Sequence, residues 1–115
     1  EKLELLTVLN SAWLTLVLLG WTTVTLSNFM SNTATVSLML PVAVALLPGR
    51  ELEMCLVLGL SASCALLLPV STPPNAVAFG TGLLKIRDLR LGGLAAGLLG
   101  PPVIVTWVML ITALL

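Results

Sequence analysis

Two short polar stretches hold the residues best suited to chemistry in this chain. The first is Ser27-Asn28-Phe29-Met30-Ser31-Asn32-Thr33-Ala34-Thr35 and the second is Ser71-Thr72-Pro73-Pro74-Asn75. Both are built from amides and hydroxyls without a charged side chain, so any ion they bind is held by dipoles. A helix that starts after Ser31-Asn32-Thr33 presents free N–H groups and the positive end of its dipole, which favour an anion such as a carboxylate. The Ser31 and Thr33 hydroxyls stand beside those groups. The Asn32 amide offers an oxygen to a cation and a nitrogen to an anion. In the second stretch Pro73 and Pro74 remove two donors and force the preceding residues to be extended. The Ser71 and Thr72 carbonyls are then expected to lack helical partners, and unwound carbonyls favour small cations.

The elements that position these groups are apolar. Leu5 to Gly49 is 45 residues without a charged side chain, and Met54 to Leu84 is another 31. A bilayer core is about 30 Å thick and takes roughly 20 apolar residues per helix. The first run is too long for one crossing and barely long enough for two, so it reads as a re-entrant helical hairpin over 5–47. Its arms are Leu5 to about Leu26 and Val36 to about Leu47, the second broken near Pro41. Residues 53–84 read as a broken transmembrane helix, with a first piece ending between Leu68 and Pro69 and a second over Ala76–Leu84. Residues 91–115 form a last transmembrane helix, kinked at Pro101-Pro102, with Gly93 and Gly97 spaced for close helix approach. The fold class is therefore an all-α membrane protein. Polar backbone at membrane depth must be buried in protein or face a water-filled cavity, and intramembrane polar groups mark functional sites.

Composition agrees with this reading and excludes others. The chain is 58% hydrophobic and 9% charged, with a mean hydropathy of +1.15. Five basic residues balance five acidic ones and there is no His, which removes a nucleic-acid surface, His-based catalytic triads and a zinc site. No nucleophile–base pair or metal-binding cluster stands out, so an enzyme is disfavoured. On one helix, Cys55 and Cys64 would be roughly 13 Å apart along the axis, too far for a disulfide, and both read as buried packing residues. Thr22, Thr23, Thr35 and Ser37 read as interhelical hydrogen-bonding groups. The stretch Lys85–Arg90 carries three cations against one acid, whereas Arg50 is offset by Glu51 and Glu53. The positive-inside rule then places the 85–90 loop in the cytoplasm and Pro48–Glu53 with both termini outside. The chain starts at Glu1 with no basic leader, as expected of a piece cut from a longer protein.

At its polar stretches the sequence resembles the divalent anion/sodium symporters, the family of INDY-type di- and tricarboxylate carriers. Ser31-Asn32-Thr33-Ala34 matches that family's Ser-Asn-Thr signature at a hairpin tip. The run from Ser63 to Gly80, with Leu68-Pro69-Val70-Ser71-Thr72-Pro73-Pro74-Asn75 at its heart, is similar to the family's broken-helix stretch in its second, C-terminal repeat. The resemblance implies an inverted-repeat elevator transporter in which substrate binds between two hairpin tips. This chain would supply the C-terminal repeat over 1–115, the N-terminal repeat would be missing from it, and the full-length protein would be a homodimer in a cell or inner membrane. By resemblance, Ser31, Asn32 and Thr33 contact a substrate carboxylate, and Thr72 and Pro73 line the same site. Sodium, the coupling ion, would be held by the Asn32 side chain and by backbone oxygens of Ser27, Met30 and Ser71. The implied function is sodium-coupled symport of a dicarboxylate, citrate or sulfate-class anion, with no other cofactor. Two alternatives stay open: a sodium-independent exchanger of the same fold, and a structural membrane subunit without transport.

Overall fold

A computed structural model describes all residues from Glu1 to Leu115 and contains five helices: α1 (Lys2–Ser27), α2 (Asn32–Leu46), α3 (Glu51–Ala62), α4 (Pro73–Gly80) and α5 (Ile86–Leu114). At 1.5 Å per residue, α1 and α5 are about 39 and 44 Å long. Both exceed the hydrocarbon thickness and are apolar enough to cross it. The bundle is elongated, 58 × 24 × 21 Å, as two long helices lying side by side require.

The short helix α3 organises the packing, touching α1, α2 and α5. Its Met54, Val57 and Leu58 are fully buried among Leu16 and Val17 of α1, Met39 and Ala43 of α2, and Val105 and Val108 of α5. Large apolar side chains elsewhere on α1 and α5 face outward, the pattern of helices that lie against lipid or a further protein element. Close approach of α5 depends on glycine. A Cβ at Gly93 would sit 2.6 Å from the Leu67 Cα and 2.7 Å from the Leu66 carbonyl oxygen, and one at Gly100 would sit 2.7 Å from the Cys64 sulfur. The spacing read from the sequence as a close-approach motif therefore meets non-helical backbone at Gly93, and at Gly97 it meets Val24 of α1.

Several boundaries differ from expectation, each for a local reason. Thr33 and Thr35 are helical, so the first polar stretch narrows to residues 28–31 between α1 and α2. Ser31 causes this by capping α2: its backbone is extended and its hydroxyl oxygen accepts the Ala34 N–H at 3.1 Å. Helix α2 also runs past Pro41, which does not end it. Helix α3 stops at Ala62, well before Leu68. Its end tightens into three-residue turns, with Cys64 N–H on Ser61 O at 2.9 Å and Ala65 N–H on Ala62 O at 3.3 Å, a common helix ending. Helix α4 begins at the prolines rather than after Asn75, because the first helical positions need no N–H. The basic stretch is the first turns of α5 rather than a loop, because the Asp88 carboxylate accepts the Lys85 N–H at 3.0 Å and completes that start.

Three expectations about side chains and backbone are corrected as well. Cys55 is exposed, whereas Cys64 is half-buried against α5. Thr22, Thr23 and Thr35 do not link helices, since each hydroxyl donates to the carbonyl four residues earlier on its own chain segment. The Thr72 carbonyl is not free, because it accepts the Ala76 N–H at 3.1 Å.

Candidate functional site

The turn between α1 and α2 and the unwound segment between α3 and α4 face each other across a cleft of about 990 Å³. Residues 28–32 line one wall, and Ser63, Leu66 and residues 70–76 line the other. No charged side chain lines it, so its electrostatics come from backbone, hydroxyl and amide dipoles.

The two walls differ in what they offer. On the α2 side, the Asn32 and Thr33 N–H groups belong to a first helical turn and have no intrahelical acceptor. The Ser31 hydroxyl oxygen is engaged in capping, which leaves its proton free to donate outward. On the α4 side the first helical turn has no spare N–H group, and among the lining residues before it only Val70 and Thr72 have N–H groups without an acceptor within the chain. Pro73 and Pro74 lack them, Asn75 N–H goes to the Thr72 hydroxyl at 3.4 Å, and Ala76 N–H goes to the Thr72 carbonyl. Thr72 can still donate its hydroxyl proton. The carbonyls of Ser27, Met30 and Ser71 accept no hydrogen bond within the chain. Anion donors thus concentrate at the start of α2, and unpaired carbonyl oxygens lie on the turn and the break.

Of the residues singled out from the sequence, Met30, Ser31, Asn32, Ser71, Thr72 and Pro73 line this cleft together. Ser27 is buried behind it and donates its hydroxyl to the Asn32 side-chain oxygen. Thr33 is exposed on the first turn of α2 and is not part of the wall. The Ser71 hydroxyl turns back onto the Leu68 carbonyl at 2.6 Å, so what Ser71 offers the cleft is its main chain.

Sequence reasoning gave no role to the asparagines that hold the walls together. The Asn28 side-chain oxygen accepts the Leu67 N–H at 3.0 Å, and its nitrogen donates to the Val24 carbonyl at 3.0 Å. The Asn75 nitrogen donates to the Leu66 carbonyl at 3.3 Å. Backbone groups have fixed polarity, so these partners determine which way each amide points. The Asn28–Leu67 bond is the only hydrogen bond between the α1–α2 turn and the break.

An all-helical, strongly apolar chain with an uncharged cleft between its helix ends has the architecture of a membrane-embedded protein. The chain belongs to the family described as the sodium:sulfate symporter transmembrane region, whose model matches residues 4–115, and it is an integral membrane protein. It is similar to a sodium-dependent low-affinity dicarboxylate transporter of Caenorhabditis elegans, with 42% identity over 78 residues, covering 65% of this chain and 13% of the relative. It is likewise similar to the sodium-dependent dicarboxylate transporter SdcS of Staphylococcus saprophyticus, with 39% identity over 83 residues, covering 70% of this chain and 16% of the relative. Human solute carrier family 13 member 1 is 34% identical over 104 residues, covering 84% of this chain and 18% of the relative. The chain spans less than a fifth of the length of these relatives. No solved structure matches.

Proposed function

We propose that this chain is the C-terminal repeat of a sodium-coupled secondary transporter of di- or tricarboxylates. The observation that carries the reading is the division of labour in the cleft. Free N–H and hydroxyl donors gather at the Ser31-Asn32-Thr33 start of α2, unpaired carbonyls of Met30 and Ser71 belong to residues lining the cleft, and that of Ser27 lies on the buried residue behind it. A carboxylate and a small hard cation need those two sets of partners. Discontinuous helices that pair them at membrane depth are how secondary transporters bind substrate and coupling ion. Two similar proteins carry names that specify sodium-dependent dicarboxylate transport, which supports the same assignment.

In this proposal α1 and α2 form a re-entrant hairpin, α3 and α4 are the halves of one broken transmembrane helix, and α5 is the last span. Ser31, Asn32 and Thr72 face the substrate carboxylate, the Thr33 N–H adds to the positive end of α2 behind them, and Pro73 shapes the wall beside it. Asn32 joins the two ions, its amide nitrogen toward the anion and its oxygen shared between the Ser27 hydroxyl and sodium. A second repeat in the full-length protein completes the anion site. The test is uptake of labelled succinate by the full-length protein in liposomes with and without an inward sodium gradient. Gradient-dependent accumulation supports the proposal. Uptake indifferent to sodium points to an exchanger, and no uptake points to a structural subunit.

A further inference from the structure

The break between α3 and α4 is about ten residues of irregular backbone, and only one peptide group in it is held on both sides by side chains. The Leu66–Leu67 peptide presents its N–H to the Asn28 side-chain oxygen at 3.0 Å and its carbonyl to the Asn75 side-chain nitrogen at 3.3 Å. Asn28 is itself buried and tethered to the end of α1 through Val24. Asn75 sits in the first turn of α4. The same peptide is pressed from behind by Gly93 of α5, where a Cβ would fall 2.6–2.7 Å from its atoms. Four elements therefore meet on one amide plane: the hairpin tip, the break, α4 and α5.

We infer that Asn28 and Asn75 act as a clamp on the Leu66–Leu67 peptide, positioning residues that fix the Ser71–Thr72 side of the cleft against the Ser31–Asn32 side. The inference rests on the transport reading given above. No other hydrogen bond joins the turn to the break, and α4 buries no side chain fully. The register between the anion donors on α2 and the free Ser71 carbonyl on the break is therefore set through this one amide. A half-buried peptide stripped of either partner leaves an orphan N–H or carbonyl, which favours rotation of the whole group toward another partner. Loss of one anchor then undoes the function of the other. The polarity is specific too, because Asn28 must present an acceptor to Leu67. A protonated aspartate keeps that acceptor and can still donate its O–H to the Val24 carbonyl, and a leucine of the same size does neither.

The test compares Asn28→Leu, Asn28→Asp, Asn75→Leu and the Asn28→Leu/Asn75→Leu pair in the full-length protein, using sodium-driven succinate uptake in liposomes. Thermal unfolding in detergent without sodium or succinate is measured alongside. Each single leucine variant should raise the sodium and succinate concentrations for half-maximal uptake about tenfold, with the maximal rate within about twofold. The pair should be no worse than the poorer single variant, because both act on one peptide group. Asn28→Asp, compared with the other variants at a pH acid enough to protonate its carboxyl, should stay near the unsubstituted protein. The clamp is overturned if the pair is additive at about a hundredfold, if Asn28→Asp is as damaging as Asn28→Leu, or if the leucine variants lower only the unfolding temperature. Absence of sodium-driven uptake in the unsubstituted protein would instead overturn the transport reading and the positioning role with it.

Discussion

The Trp21 indole nitrogen donates to the Leu98 carbonyl at 3.0 Å, joining α1 to α5. Leu98 is the residue whose helical donor would be the N–H of position 102, and position 102 is a proline. The tryptophan therefore supplies from a neighbouring helix the hydrogen bond that Pro102 removes. Trp13 makes a second link farther along the same pair of helices, donating to the Thr106 hydroxyl at 3.0 Å.

This relationship predicts a coupled stability effect. Trp21→Phe keeps most of the packing but orphans the Leu98 carbonyl, at a cost of about 0.6–1.7 kcal/mol on the scale of membrane hydrogen bonds. In a Pro102→Ala background the helix regains its own donor, and Trp21→Phe should then cost less than half as much. Thermal or denaturant unfolding of the four proteins in detergent measures the cycle. Equal costs in both backgrounds would separate the tryptophan from the proline.

Glycine gives a sharper contrast within α5. Gly93→Ala places a methyl group against the Leu66–Leu67 backbone, which side-chain rotation cannot relieve, so it should destabilise by about 1–3 kcal/mol. Gly92→Ala, one residue earlier, meets nothing within 4 Å. It should be neutral or stabilise by about 0.5–1 kcal/mol, the helix preference of alanine over glycine. Unfolding temperatures of the two variants, compared with the unsubstituted protein, decide this.

Much of this architecture is legible in the residues. The charge-free runs, the Pro48-Gly49 turn and the prolines at the second polar stretch announce apolar helices with two interruptions, but the second lies over residues 63–72, ahead of the prolines, which start α4. Helix ends are less legible because single side chains set them. Ser31 starts α2 inside the polar stretch by capping it, and Asp88 starts α5 inside the basic one. Ser31, Asn32 and Thr72 stand out by type and spacing. Asn28 and Asn75 do not, because their partners are main-chain groups of Leu66 and Leu67, whose side chains reveal nothing about them. The threonines of α1 mislead for a related reason: a hydroxyl on a helix has its own carbonyl within reach before any neighbour's.

Membrane topology is open to direct labelling. With Cys55 and Cys64 replaced, single cysteines at Arg50 and Arg87 of the full-length protein should react with an impermeant maleimide from opposite sides. The excess of positive charge over 85–90 predicts that the Arg87 side is the cytoplasmic one. Reaction of both from the same side would contradict the arrangement of α3, α4 and α5.

Ser31 is the cap of α2 and, in the proposed function, a substrate contact, and the two separate by choice of substitution. Glycine is tolerated at a helix N-cap with a loss of only a few tenths of a kcal/mol. Ser31→Gly should therefore leave the unfolding temperature almost unchanged. It removes a hydroxyl donor to a carboxylate, about 1.5–3 kcal/mol, so the half-saturating succinate concentration should rise about tenfold or more. A change in stability without a change in affinity would leave Ser31 as a cap alone.

The central claim is that one asparagine serves both ions, and succinate binding against sodium concentration for Asn32 variants tests it most directly. Asn32→Leu removes the amide oxygen and nitrogen together. It should abolish sodium-dependent binding in the full-length protein while the fold, read by its unfolding temperature, survives. Asn32→Asp adds a negative charge a few ångströms from a carboxylate, a repulsion on the order of 4 kcal/mol at an effective dielectric of about 20. It should retain sodium binding but lose succinate. Sodium-dependent succinate binding that persists in Asn32→Leu would contradict the account, because the coupling ion and the anion would then meet elsewhere.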